Sequence, residues 1–316
     1  MPDLLLHLTD RGVTDVRALR DTGSETDRTV LVDAGSGSVV LKVSETSRMQ
    51  AALLEVVAAT APTLPVPRVL RTATGDGVTA TDDGDVFVMT ALEGVPLEDV
   101  ELWPTLVDDL ADVQAGLVDA LRWTDAGAAS VPTTNDWSIE AATDHEPLVD
   151  AVADERHRAA MHGALDVYRA ELAPALATMP RQVLHADANL SNVLVADGRV
   201  SGVIDFGDAI AAPRVLDVAV TACYLAVALG SFDHPMLHRY LDRVGTALHL
   251  DTTEAALVLP LAACRLVMAV VLARDTAKRH PDRADYVLRY DRAAVALLDA
   301  TAALPSPSTP LLTKGA

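Results

Sequence analysis

Two short stretches in the second half of the sequence combine residue types that suit phosphoryl transfer from a nucleotide. The first runs from His185 to Asn192 and contains Asp187, and the second is Ile204–Asp208, which contains Asp205. An aspartate in a loop, such as Asp187, can take the proton of an attacking hydroxyl. Asn192 can offer a neutral oxygen, and Asp205 an anionic oxygen, to one Mg²⁺, which prefers oxygen ligands in octahedral geometry. Because the transferred phosphoryl group carries its own charge, such a site mainly positions the reacting groups and neutralises the charge of the phosphates.

A β-rich segment separates the two motifs and must hold them at a fixed distance. Val193–Val195 and Val200–Ile204 flank the pair Asp197-Gly198. An Asp-Gly pair between alternating apolar residues predicts a tight hairpin turn. The rest of this half shows apolar residues at helical spacing. We expect helices at Trp103–Leu121, Glu155–Leu176, Pro213–Leu229, His234–Leu248, Thr253–Lys278 and Ala284–Ala303.

The first 92 residues have a different texture, with β-branched runs separated by glycine, serine and aspartate. They predict five antiparallel strands and one main helix. The strands are expected at Val16–Leu19, Thr29–Asp33, Val39–Ser44, Val66–Arg71 and Val86–Thr90, the helix at Arg48–Thr60, and turns over Thr74–Asp85. This divides the chain into an N-terminal lobe (1–92), a helical lobe with the catalytic loop and acceptor site (93–303) and a flexible tail (304–316).

Composition narrows the range of partners. Of the 316 residues, 45 are acidic and 25 are Lys or Arg, which gives a net charge of -20. A surface this acidic does not favour nucleic acid, which is bound by basic patches. With 50% hydrophobic residues the chain is able to build a core, which excludes a disordered protein. The surplus of acid would attract a cationic small molecule, although solubility alone is the simpler interpretation.

Lysine is scarce, and that makes one lysine informative. The chain has three, Lys42, Lys278 and Lys314, so the other 22 of its 25 basic residues are arginines. Lys42 lies among apolar residues of an expected strand. A lysine is a compact point charge that arginine does not replace well. The bias therefore indicates that Lys42 is retained for a specific contact.

Three further features predict a cytoplasmic protein without a membrane span. Cys223 and Cys264 lack metal-type spacing and are interpreted as reduced thiols. The N-terminus has no basic segment and no cleavage site of a signal peptide. The apolar stretches Leu216–Phe232 and Ala255–Ala273 are interrupted, the first by Asp217 and the second by Pro260 and Arg265, so buried helices are favoured.

The order of the motifs resembles the aminoglycoside phosphotransferase and choline kinase branch of the protein-kinase-like superfamily. The pattern HxDxxxxN from His185 to Asn192, a hairpin, and then Ile204–Asp208 follow one another as in that family, and the resemblance covers roughly residues 10 to 300. It implies an α+β fold of two lobes, the smaller one antiparallel and the larger one helical. It also implies transfer of the γ-phosphate of ATP, with Mg²⁺, to a hydroxyl of a small molecule.

The resemblance extends to the residues that would bind the nucleotide. It assigns Asp187 as the base, Asn192 and Asp205 as the metal ligands, and Lys42 as the residue that grips the α- and β-phosphates. The hinge that meets the adenine edge would be formed by Met89, Thr90, Ala91 and Leu92. Gly23 and Ser24 stand where a phosphate-covering loop would lie, although an ordinary turn would explain them equally well.

Supporting roles are implied for three more residues. His185 would orient the loop, and Asp217 would brace it from the following helix. Asp208 would either help to bind a second metal ion or cap the following turn, and the cap is favoured.

Two positions depart from the family pattern. The glutamate that usually pairs with the phosphate-binding lysine is expected near Arg48–Gln50, which holds no acid. Glu45 or Glu55 would have to turn inward, or Gln50 would make a neutral contact. The usual glycine after the motif histidine is Ala186, which is small enough to leave room in the loop.

Within the superfamily, Val200–Ala209 and Asp217–Tyr224 resemble the hydroxylysine-kinase-like group. The loop Asn135–Trp137, with Glu140, lies where the acceptor site would be built. The expected acceptor is a hydroxylated amino acid, an amino alcohol or an aminoglycoside, so it carries an amine. Trp137 or Tyr224 would hold that cation, unless both rings only pack in the core.

Two other functions remain as alternatives. A nucleotide-binding pseudokinase or regulatory module is favoured by the missing glutamate and opposed by the intact Asp187, Asn192 and Asp205. A metal-dependent hydrolase would use His185, Asp187, Asp205 and Asp208 as a cluster, but it would have no need of Lys42.

Overall fold

The computed structural model describes residues 2–21, 28–35, 37–82 and 84–304. The expected loop with Gly23 and Ser24, and the expected tail beyond residue 304, lie outside the described residues. The strands are β1 (Val16–Asp21), β2 (Arg28–Ala34), β3 (Gly37–Ser44), β4 (Val69–Leu70), β5 (Val78–Thr81), β6 (Gly84–Thr90), β7 (Val95–Pro96), β8 (Arg181–Leu184), β9 (Val193–Ala196), β10 (Arg199–Val203) and β11 (Ile210–Pro213). The helices are α1 (Pro2–Thr9), α2 (Ser47–Thr60), α3 (Pro104–Leu121), α4 (Glu146–Asp150), α5 (Glu155–Val167), α6 (Ala173–Leu176), α7 (Val215–Leu229), α8 (Pro235–Ala247), α9 (Thr252–Arg279), α10 (Ala284–Val287) and α11 (Asp291–Leu297).

The N-terminal strands form an antiparallel sheet in the order β1-β2-β3-β6-β4, and β5 also pairs with β6. The sheet therefore has six strands where five are expected. The additional strand, β5, lies in the stretch that the sequence predicts to hold turns. Its residues are half-buried or exposed and show no apolar alternation, so no strand is predicted there. The strand expected at Val66–Arg71 shortens to β4, since Pro67 has no N–H to donate to a ladder.

The helical half is centred on two apolar helices, α7 and α9. By length and composition α9 could cross a membrane, but 78% of its most apolar window is buried inside the protein, as in a core helix. Cys223 on α7 and Cys264 on α9 are buried free thiols. Both apolar stretches are thus core helices, as the sequence predicts.

Short strand pairs tie the two sequence motifs together. The expected hairpin is confirmed as β9 and β10. The N–H of Ile204 donates to the carbonyl of Asn192 at 2.9 Å, which joins the end of one motif to the start of the other. β8 and β11 also pair, with Leu184 opposite Ile210. The polypeptide on both sides of the two motifs is therefore held by backbone hydrogen bonds.

Apolar packing anchors the site to both halves of the chain. One cluster joins Leu53 and Val57 of α2 to Leu121 of α3 and to Phe206. Phe206 is the neighbour of Asp205 and is 2% exposed. Burying a side chain of this size contributes about 2–3 kcal/mol. This burial fixes Asp205 relative to the helix that follows β3.

Candidate active site

A cleft of about 520 Å³ lies where the sheet meets the helical half, within the size range of small-molecule sites. It brings together most of the residues that the sequence assigns to chemistry or nucleotide binding. These are Lys42, Met89, Thr90, Ala91, Leu92, Asp187, Asn192, Asp205 and Asp208. His185 and Asp217 are buried behind this surface, with no exposed area.

The N-terminal sheet contributes a positive charge to the cleft through Lys42. Lys42 lies on β3, between β2 and β6, and is 3% exposed. Its Nζ donates to Oδ1 of Asp205 at 2.8 Å and to Oε1 of Gln50 at 3.1 Å. The first contact crosses from the sheet to the second motif. The ammonium group is thus already directed at the carboxylate that would bind a metal ion.

The second partner of Lys42 is neutral. The Nε2 of Gln50 donates to Oγ1 of Thr46 at 2.8 Å, which turns the amide oxygen toward the lysine. Glu55 instead forms a surface ion pair with Arg71, and Glu45 is exposed. Of the three candidates raised by the sequence, the one in contact with Lys42 is Gln50.

The carboxylate of Asp187 is held by three side chains. Oδ1 accepts from Nη2 of Arg265 at 2.9 Å, and Oδ2 accepts from Asn189 at 2.9 Å and from Asn192 at 2.8 Å. Burial raises the pKa of Asp187, and the charge of Arg265 opposes that rise only in part. A carboxyl group with a raised pKa is better suited to accept a proton than an ordinary surface aspartate.

Asn192 and Asp205 each direct an oxygen without a partner, among the described residues, into the cleft. The Nδ2 of Asn192 is used by Asp187, which leaves Oδ1 available. Both bonds to Asp205, from Lys42 and from the N–H of Gly207, reach Oδ1, so Oδ2 is available. Although burial raises the pKa of Asp205, Lys42 lowers it below its ordinary value. One neutral and one anionic oxygen fit the donor preference of Mg²⁺.

Asp217 and His185 hold the backbone of the catalytic loop. The carboxylate of Asp217 accepts from the N–H of Ala186 at 2.7 Å and of His185 at 3.4 Å. The ring nitrogens of His185 face backbone groups, Nε2 the carbonyl of Ile204 and Nδ1 the N–H of Asp187. Burial lowers the pKa of His185 to about 4, so the ring is neutral. This arrangement opposes the hydrolase alternative, because His185 has no nitrogen left for a metal ion.

Ala186 stands in a backbone conformation that favours glycine. Its φ is +64°, a region that costs a residue with a Cβ about 1–2 kcal/mol. The sequence predicts that alanine leaves room in the loop, and the positive φ adds a backbone cost that side-chain size does not reveal. The loop retains enough space, but the bonds from Asp217 must offset backbone strain.

Arg265 is the site residue that sequence reasoning missed. It lies on α9, is 1% exposed, and also donates through Nη1 to the carbonyl of Trp137. Its buried Nε has no partner among the described residues. The desolvation of the guanidinium therefore offsets much of what its hydrogen bonds contribute to the stability of the fold. The sequence contains a signal for it, since Arg265 interrupts an apolar helix and a buried guanidinium needs an anionic or polar partner.

The expected acceptor loop is only partly in the cleft. Trp137 and Tyr224 line it, and the guanidinium of Arg265 lies 5.0 Å from the Trp137 ring. Asn135 donates to the carbonyl of Asp208 at 2.9 Å. Glu140 was expected beside them but is bound by Arg181 in two hydrogen bonds of 2.8 and 2.7 Å. Glu140 does not line the cleft.

Comparison with known proteins places this geometry in context. A family model described as phosphotransferase enzyme family matches residues 17–257. Hydroxylysine kinase of Bos taurus is 23% identical over 287 residues, which span 83% of this chain and 76% of that protein. Both matches confirm the resemblance found in the motifs.

Solved structures share the whole fold. The GDP and kanamycin complex of APH(2″)-IIia has a TM-score of 0.68 at 17% identity and covers 96% of this chain and 98% of that chain. Spectinomycin phosphotransferase APH(9)-Ia, with ADP and spectinomycin, also has 0.68 at 13% identity, covering 95% and 98%. Aminoglycoside phosphotransferase APH(4)-Ia, with AMP-PNP and hygromycin B, has 0.54 at 20% identity, covering 89% and 94%. These likenesses confirm the two-lobed α+β fold.

Proposed function

The chain belongs to the phosphotransferase enzyme family and is a small-molecule kinase, and we propose that it transfers the γ-phosphate of ATP, with Mg²⁺, to a hydroxyl group of an amine-bearing acceptor. One observation carries this proposal. The ammonium of Lys42, the carboxylate of Asp187 and the available oxygens of Asn192 and Asp205 line a single cleft. These are the groups required to bind phosphates, accept a proton and hold a divalent cation.

The proposed reaction is a direct transfer. The acceptor oxygen forms a bond to the γ-phosphorus as the bond from that phosphorus to the β–γ bridging oxygen breaks. The hydroxyl proton goes to Asp187, and the bridging oxygen leaves with ADP. Arg265 and Asn189 keep the carboxylate of Asp187 oriented. Mg²⁺, held by Asn192 and Asp205, would supply neutralising charge for the phosphates.

The nucleotide is proposed to lie along the N-terminal side of the cleft. Met89–Leu92, at the end of β6 and just beyond it, would meet the adenine edge. Lys42 would contact the phosphates, and because its ammonium is compact it can exchange Asp205 for a phosphate oxygen with little movement.

The acceptor is proposed to be a hydroxylated amino acid, an amino alcohol or an aminoglycoside. The name of the curated relative, hydroxylysine kinase, supports the first. The antibiotics in the related structures support the last. The aromatic rings of Trp137 and Tyr224 line the cleft, but the guanidinium of Arg265 lies 5.0 and 5.8 Å from them, so these rings already have a cationic partner and do not distinguish the three acceptor classes.

A second candidate function is a nucleotide-binding module without transfer activity. One observation favours it, since Lys42 contacts the amide of Gln50 rather than a carboxylate on α2. The intact set around Asp187 opposes it. Phosphate transfer distinguishes the two functions, because both predict binding of Mg-ATP.

The test is ADP release from ATP with a panel of hydroxylated amino acids, amino alcohols and aminoglycosides. We expect turnover with at least one acceptor, and a loss of about a thousandfold in kcat for Asp187→Asn and Asp205→Asn. Asp197→Asn is a matched control, because Asp197 is exposed in the hairpin turn at a φ that asparagine tolerates. Full rates in both site variants would contradict the assignment, and binding without transfer would favour the module.

A further inference from the structure

The cleft contains an ion pair that none of the proposed roles uses. Glu98 lies in the turn after β7, and Arg289 lies between α10 and α11. Their side chains are 20% and 26% exposed, and Nε of Arg289 lies 3.4 Å from Oε2 of Glu98. Both residues line the cleft.

Each member of this pair retains hydrogen-bonding capacity. The guanidinium of Arg289 has five N–H groups, of which Nη1 donates one to the carbonyl of Tyr286 at 3.0 Å and Nη2 donates one to Oγ of Ser191 at 3.1 Å. One N–H on each of these nitrogens has no acceptor among the described residues. Arg289 and the hydroxyl of Tyr290 both donate to Oε2 of Glu98. Oε1 of Glu98 accepts no hydrogen bond from the described residues. Two adjacent donors and one anionic acceptor thus remain for a ligand.

The pair is also held in place before any ligand arrives. The guanidinium lies 4.1 Å from the ring of Tyr286 and 4.7 Å from the ring of Tyr290. Tyr290 in turn lies 5.4 Å from Tyr224. Stacked arginine loses little freedom when it binds a carboxylate, so less affinity is lost to ordering.

The position of the pair relative to the base matters as well. Ser191, which accepts from Arg289, belongs to the same loop as Asp187. Arg289 therefore contacts the catalytic loop within the cleft, four residues along the chain from Asp187. A ligand held there at one end can present its other end to Asp187.

We propose that Arg289 and Glu98 bind the head group of the acceptor, with the α-carboxylate on Arg289 and the α-ammonium on Glu98. The acceptor is then an amino acid with a hydroxyl on its side chain. This inference rests on the proposed function and narrows its substrate class. An acceptor with only positive charges would place an ammonium group against Arg289, and that repulsion opposes it.

The first test compares acceptors that differ only in the carboxylate. The pair 5-hydroxylysine and 1,5-diaminopentan-2-ol, and the pair homoserine and 3-aminopropan-1-ol, serve this purpose. For wild type we expect kcat/KM to be at least about thirtyfold higher for the amino acid of the preferred pair, because a partly buried charge-assisted contact is lost in the amine. Equal kcat/KM within both pairs would overturn the inference and leave the proposed function standing.

The second test removes the head-group contacts. Arg289→Gln should collapse the preference for the amino acid to less than about threefold, through KM rather than kcat. Arg289→Lys should restore part of it, and Glu98→Gln should raise KM for the amino acid about tenfold. Arg292→Gln is the matched control, since Arg292 is exposed on α11 and does not line the cleft. Melting temperatures check that each variant is folded, and an unchanged preference in folded Arg289→Gln would overturn the inference.

A binding measurement separates this inference from the proposed function. Lysine and cadaverine lack the hydroxyl, and calorimetry with the full chain, Mg²⁺ and AMP-PNP should show tighter binding of lysine by at least about tenfold. If no acceptor is phosphorylated but lysine binds in this way, the proposed function fails and the head-group site stands. If neither lysine nor hydroxylysine binds, the head-group site is wrong.

Discussion

The cleft contains two buried cations that pair with carboxylates, Lys42 with Asp205 and Arg265 with Asp187. The two pairs differ in the exposure of the carboxylate to solvent. The side chain of Lys42 is 3% exposed and that of Asp205 is 43% exposed. Arg265 is 1% exposed and Asp187 is 16% exposed. The first pair is open to ligands on its anionic side, whereas the second is nearly enclosed.

This difference indicates two uses of a buried positive charge. Lys42 reaches a carboxylate that can exchange it for a phosphate, so the charge is available to substrate. Arg265 is fixed by Asp187, the carbonyl of Trp137 and a nearby ring. Its charge is available to the base rather than to the nucleotide. Removing one member of an enclosed pair leaves the other buried and uncompensated, whereas an open pair is relieved by water.

Among variants that change the cation of either pair or its neighbour, the largest combined effect on rate and stability is expected for Arg265→Met. The carboxylate of Asp187 loses the donor at Oδ1, so kcat should fall about a hundredfold or more. Unfolding free energy should fall by about 3–5 kcal/mol, because a buried charge is stranded. Urea denaturation and initial rates measure the two effects. In Arg265→Met combined with Asp187→Asn, part of the stability should return, and strict additivity of the two losses would refute the enclosed-pair interpretation.

A smaller effect, confined to the nucleotide, is expected for Lys42→Met. The ratio kcat/KM for ATP should fall about a hundredfold, as a phosphate contact is lost. Unfolding free energy should change by less than about 1 kcal/mol, because Asp205 remains accessible to water. Lys278→Met is the control, since Lys278 is exposed in the last turn of α9. A stability loss as large as that of Arg265→Met would remove the distinction between the pairs.

The smallest effect is expected for Gln50→Glu, which gives Lys42 a charged partner on α2. Stability should rise by about 1 kcal/mol, because an ion pair replaces the bond from the ammonium to a neutral amide oxygen and the Thr46 hydroxyl can turn to donate to the new carboxylate. The KM for ATP should change less than threefold. Glu55→Gln, which disturbs only the surface pair with Arg71, should leave that KM unaltered. A tenfold change in KM for Gln50→Glu would mean that the neutral partner is itself part of nucleotide binding.

Local patterns predicted the elements that carry the motifs. The hairpin of β9 and β10 was predicted by its Asp-Gly turn, and Lys42 by its isolation in an arginine-rich chain. β5 was missed because its half-exposed residues have no periodicity to detect. Its position depends on pairing with β6, a contact that the local sequence does not encode.

Long-range partners were harder to predict. Glu140 was expected at the acceptor site, but it is bound by Arg181, 41 positions further along the chain. The choice between Gln50 and Glu55 depended on the rotation of α2 over the sheet, while Glu45 precedes that helix and is exposed. Gln50 faces inward there and is 1% exposed. Spacing along a helix gives the faces of that helix but not the face that meets Lys42.

The sequence by itself determined the family, the two-lobed fold and the residues offered for chemistry, because these follow from contiguous motifs and local periodicity. Only the tertiary structure decided which side chains stand next to them. Arg265 reaches Asp187 across 78 positions, and Arg289 reaches Glu98 across 191. Contacts over such separations depend on the packing of whole helices, and no local pattern records them. The base's partner and the proposed acceptor site were therefore visible only in the folded chain.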